Sequence, residues 1–85
     1  MATDDVRSQI RSVLKEHGRF AADPGEIGDD VDLYQLGMTS HASVGVMLAL
    51  ESAFDIEFPD RMLTRNVFES VSAIGNAVEE LLSAK

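Results

Sequence analysis

The chain reads as an all-α protein, a four-helix bundle of three main helices plus a short third one, with a long loop between helices one and two. Three observations lead there. Apolar residues recur at helical spacing in three separated stretches. Between the first two, from Gly18 to Thr39, that periodicity fails among prolines, glycines and aspartates. The hydrophobic fraction of 45% over 85 residues suits one small folded domain, residues 1–85, rather than a disordered tail. At this size the core is thin, with roughly 3–5 kcal/mol of net stability expected in the absence of a staple.

In helix one, Val6, Ile10, Val13, Leu14 and His17 share a face, with Asp4 placed to cap the start and Gly18 to end it. The following loop contains Pro24, Gly25, Gly28 and Gly37 together with Asp23, Asp29, Asp30 and Asp32. A connection longer than about 15 residues needs apolar anchors. Phe20, Ile27, Leu33 and Leu36 are the candidates, with a short helical turn across Asp32 to Leu36. Helix two is expected to start with Ser40 as N-cap and run to about Phe54. Its expected buried set is Val44, Met47, Leu48, Phe54 and the stem of Glu51, with Leu50 near the boundary.

The opposite face of helix two would then present Ala42, Ser43, Gly45, Val46, Ala49 and Ser52, all small or apolar. Such a surface permits close approach by another protein. Alternatively, Val46 and Ala49 lie beside the long loop. After an extended Asp55 to Phe58, Pro59 opens a short segment through Met62, Leu63, Val67 and Phe68. Ser70 caps the final helix, which carries Val71, Ile74, Ala77, Val78, Leu81 and Leu82 and ends near Ala84.

Seven Lys plus Arg against fifteen Asp plus Glu give a formal net charge of -8, which argues against nucleic acid or an anionic membrane as partner. Basic protein surfaces suit it better, unless the acidity only maintains solubility. No cysteine is present, so no disulfide forms, which is compatible with a reducing cytoplasm. Met1 to Asp5 lead into neither a signal peptide nor a membrane span, and a cytoplasmic location is expected.

The chemistry concentrates at Gly37-Met38-Thr39-Ser40-His41. A serine just after a glycine turn and at the start of a helix holds its hydroxyl at the helix's positive end, where a phosphate is favoured. That is a site for attachment, although a serine here also serves as an ordinary N-cap. No catalytic acid, base or metal cluster accompanies it, so the chain is read as carrying a group rather than as an enzyme. His41 does not form a dyad with Ser40, because helix neighbours point about 100° apart. The two histidines, His17 and His41, lack zinc-ligand spacing. An EF-hand starting at Asp29 fails, since Tyr34 would fall on the glycine position and Ser40 on the final glutamate. Met38, Met47 and Met62 read as gap-filling residues in or near the core.

The serine three positions after Gly37, the apolar helix leading into Leu50-Glu51, and the segment Phe54-Asp55-Ile56-Glu57-Phe58-Pro59-Asp60 resemble the acyl and peptidyl carrier proteins over nearly the whole chain. The resemblance implies an acyl-carrier-protein-like four-helix bundle. It also implies that Ser40 receives 4'-phosphopantetheine from coenzyme A through a phosphopantetheinyl transferase, the arm's thiol then holding a thioester. Where the family has Asp-Ser-Leu, this chain has Thr39-Ser40-His41, and only Glu51 is acidic between Ser40 and Phe54. The Thr39-Ser40-His41-Ala42 variant, the small face of helix two and the short free-standing chain resemble small bacterial aminoacyl carrier proteins served by amino acid:carrier protein ligases related to class II aminoacyl-tRNA synthetases. That likeness implies a glycine or alanine cargo passed to a downstream acyl-accepting enzyme by a monomeric carrier. Thr39, His41, Ala42, Val46 and Ala49 are the expected partner-binding residues. Two other readings stay open: an acyl carrier for specialised lipid or polyketide synthesis, and an unmodified acidic helical interaction module.

Overall fold

Val6, Ile10 and Leu14 recur at every fourth position and are all buried along one stripe of α1 (Ala2–His17). The computed structural model describes residues 2–18 and 27–84, and in it that stripe packs against α2 (Ser40–Phe54) and α4 (Val71–Ala84). A 3-10 turn at Asp60–Met62 leads to a short α3 (Arg65–Phe68), which packs on α4. The expected four-helix bundle with a short third helix is therefore formed. No helix among the described residues is long and apolar enough to cross a membrane.

α1 begins at Ala2, so Asp4 lies inside its first turn instead of capping it. The Gly18 amide closes the helix by donating to the Leu14 carbonyl at 2.8 Å. His17, placed on the apolar face by spacing, is exposed at the last turn. At the other end of the chain, Ser70 Oγ accepts from the Ala73 amide at 3.0 Å, the expected cap of α4. Val71, Ile74, Ala77 and Val78 are buried behind it.

Of the loop anchors, Ile27 and Leu33 are buried and Leu36 packs at the core's edge; Phe20, Asp23, Pro24 and Gly25 lie outside the described residues. The aspartates are not a merely solvated run. Arg7 and Arg11 both bind the Asp29 carboxylate, and Arg11 also donates to the Ile27 carbonyl at 2.6 Å. The Asp29 carbonyl accepts from the Ser72 amide at 2.9 Å, so this residue ties the loop to both α1 and α4. Its carboxyl pKa is lowered, chiefly by the hydrogen bond from Arg11, with burial opposing. Asp32 Oδ1 accepts from the Tyr34 amide at 2.9 Å and starts the short helical turn expected across Asp32 to Leu36.

α2 is rotated relative to the expectation. Ala42, Val46 and Leu50 form its buried stripe, whereas Val44 and Leu48 are 51% and 55% exposed. Met47, Ala49 and Phe54 lie between these extremes. The helix is apolar nearly all round, so periodicity alone expresses no preference for one face; the fit against α1 makes the choice. Glu51, expected to contribute only its stem, uses Oε2 to accept the Phe58 amide at 2.9 Å. That bond holds the segment after α2 and places the buried Phe58 ring edge-on to Phe68, 5.3 Å between centroids.

Candidate functional site at the start of helix two

Gly37 adopts φ +112°, a conformation a side chain would strain, and thereby turns the chain out of the Asp32–Leu36 turn. The next residue, Met38, is buried, and its amide donates to the Leu33 carbonyl at 3.2 Å. Leu33, itself fully buried, donates its own amide to the Glu69 carbonyl at 2.6 Å. The entrance to α2 is thus fastened to the junction between α3 and α4, and Thr39 leaves it in extended conformation.

Thr39, not Ser40, caps α2: its Oγ1 accepts from the Ala42 amide at 2.9 Å. The sequence put the cap one residue late because both side chains are good caps. Ser40 is the first residue of the helix, exposed, and its hydroxyl takes part in no hydrogen bond among the described residues. Its backbone carbonyl accepts from Ser43 Oγ at 2.7 Å. No acidic side chain stands in the first turn of α2, so nothing there opposes an anion at the helix's positive end.

Ser40 opens onto a hollow of about 370 Å³ whose walls include Tyr34, Val44, Met47, Leu63, Arg65 and Phe68. The Arg65 guanidinium lies 4.2 Å above the centre of the Tyr34 ring and 3.9 Å from Asp32 Oδ2. An exposed hydroxyl with no partner among the described residues, beside a largely apolar hollow, fits a phosphate-linked arm. His41 faces elsewhere, lining a separate hollow with Glu16 and His17, so the fold unites the two histidines that the sequence holds apart. Among the described residues no three His, Cys, Asp or Glu side chains converge as metal ligands.

Of the expected partner-binding residues, Thr39 and His41 are exposed and Ala49 is half-buried. Ala42 and Val46 are buried in the core, Val46 completely, and are withdrawn from any docking surface. The exposed apolar side chains beside Ser40 are instead Val44 and Leu63, while Leu48 is exposed further along α2. Nothing in the local sequence assigns Tyr34 or Arg65 to this site; only the approach of α3 to the Asp32–Leu36 turn brings them beside Ser40.

Residues 4–78 match the protein family described as phosphopantetheine attachment site. An aminoacyl carrier protein of Agrobacterium fabrum is 42% identical over 80 residues, covering 94% of this chain and 96% of that protein. A chain in the crystal structure of an engineered Bradyrhizobium japonicum glycine:[carrier protein] ligase, complexed with carrier protein from Agrobacterium tumefaciens and ATP, superposes with a TM-score of 0.85. It is 43% identical, over 88% of this chain and 97% of that one. A chain in the Bradyrhizobium japonicum ligase complexed with glycylated carrier protein gives a TM-score of 0.75 at 26% identity, over 87% of this chain and 99% of that one. An unencumbered serine at a helix entrance, in a helical bundle matched along nearly its whole length, places the chain in one group: it belongs to the phosphopantetheine-attachment family of carrier proteins.

Proposed function

We propose that Ser40 bears 4'-phosphopantetheine and that the chain is an aminoacyl carrier, holding a small amino acid of the glycine or alanine class for transfer to partner enzymes. The observation that carries this reading is the division of labour at the helix entrance: Thr39 performs the capping, which leaves the exposed Ser40 hydroxyl without a structural duty. When bound, the arm supplies a thiol on which the amino acid rides as a thioester, a function this cysteine-free chain otherwise lacks.

The chain's own residues position and present that arm; the bond-making chemistry belongs to its partners. These are a phosphopantetheinyl transferase, an amino acid:carrier protein ligase and a downstream acyl-accepting enzyme, all met by a monomeric carrier in the cytoplasm. The relatives that occur with a glycine:[carrier protein] ligase support the ligase and the cargo class. Thr39, His41 and Ala49 serve the docking surface, together with the exposed Val44 and Leu48. Incubation with coenzyme A and a broad-specificity transferase is expected to raise the intact mass by one phosphopantetheinyl group in the wild type and not in Ser40→Ala. An unchanged wild-type mass, under conditions that modify another carrier protein, would overturn the assignment.

A further inference from the structure

The chain is strongly acidic, and several of its cations are already committed: Arg7 and Arg11 bind Asp29, and Arg61 binds Glu80 at 2.8 Å. Arg65 differs. It is the charged member of the walls of the hollow beside Ser40, and its guanidinium carbon lies over the face of Tyr34. A cation–π contact holds a guanidinium over the ring face without consuming its N–H donors. The nearest carboxylate oxygen, on Asp32, is 3.9 Å away, too far for a hydrogen bond, and no other acceptor meets Arg65 among the described residues.

We propose that Arg65 is the counter-ion of the phosphodiester on Ser40, holding the root of the arm against the wall formed by Tyr34. The inference rests on Ser40 being the attachment residue. A phosphodiester adds a negative charge to an acidic surface already containing Asp32; a guanidinium held over Tyr34, its donors meeting no hydrogen-bond acceptor among the described residues, offsets that charge. Arg65 is a positioning residue, acting on the arm's root rather than on the reacting thiol.

The test uses the fully modified protein, with modification verified by intact mass. At low salt, the Arg65 Nε–Hε cross-peak is expected to move between the apo and holo proteins. The 31P resonance of holo Arg65→Gln is expected to differ from that of the wild type. Both differences should collapse in about 1 M salt, where charges are screened over about 3 Å. Because the cross-peak is read on the wild type, the test does not depend on the variant's folding. An Arg65 cross-peak identical in apo and holo protein, or 31P positions that coincide at low salt, would overturn the proposal. A failure to gain mass is a different result: it overturns the attachment reading and takes this inference with it.

Discussion

Thr39 Oγ1 accepts the Ala42 amide at 2.9 Å, immediately before a serine whose own hydroxyl takes part in no hydrogen bond among the described residues. Threonine and aspartate both cap helices, so Thr39 preserves the cap where carrier proteins commonly have aspartate, and it omits that residue's negative charge next to the phosphate proposed for Ser40. With attachment proposed at Ser40, capping and attachment fall to adjacent residues and do not compete.

Thr39→Ala is expected to lower stability by about 1 kcal/mol through loss of the cap. Ser40→Ala, which removes an exposed hydroxyl with no partner among the described residues, should change it by less than about 0.5 kcal/mol. Urea unfolding of the apo proteins separates the two. Thr39→Ala should still gain the arm by mass, and Ser40→Ala should not.

The rotation of α2 gives opposite outcomes for two aspartate substitutions. Val46→Asp puts a charge in the fully buried stripe and, in a domain of roughly 3–5 kcal/mol, should abolish cooperative unfolding at room temperature. Leu48→Asp alters an exposed side chain and should stay within about 0.5 kcal/mol of wild type. If α2 is the face met by the ligase, Leu48→Asp should slow aminoacyl loading while leaving arm attachment intact. Circular dichroism melts and loading assays on the same samples test both.

Asp29 makes part of the fold's stability pH-dependent. Its folded pKa lies below the ordinary value of 3.8, so the stabilisation is fully present above that value and is lost as pH falls through the depressed one. Urea midpoints measured from neutral to acid pH should show wild type ahead of Asp29→Asn at neutral pH. The gap should narrow below the ordinary carboxylate range, and high salt should narrow it at neutral pH as well, because the cluster is partly exposed.

Gly45 sits inside α2 without a steric reason for being glycine: a Cβ built there meets nothing within 4 Å among the described residues. Gly45→Ala should raise stability by about 0.5–1 kcal/mol. Gly75 in α4 should respond in the same direction, since its added Cβ would meet Ile10 Cδ1 at an ordinary 3.8 Å. Unfolding midpoints of the two variants check both.

Several elements were legible from local patterning. The stripe Val6–Ile10–Leu14, the Ser70 cap with Val71, Ile74 and Val78 behind it, and the turn across Asp32 to Leu36 each rest on residues a few positions apart. Ser40 was legible in the same way, as a serine between a glycine turn and a helix. The Asp4 cap failed because the helix starts earlier, and the Ser40 cap failed because a threonine beside it could do the same work.

Residue order alone thus specifies where the helices lie and which hydroxyl stands at the entrance of α2, because capping and periodicity are short-range. It leaves open which side of α2 is buried, since Ala42, Val46 and Leu50 on one side and Val44 and Leu48 on the other are all nonpolar. Packing against α1 resolves that choice. Packing also joins Arg7 and Arg11 to Asp29, and sets Arg65 over Tyr34 beside Ser40. Those pairs join residues far apart in the chain, so only the closed bundle, in which apolar burial outweighs the entropy of closing the intervening loops, brings them within reach.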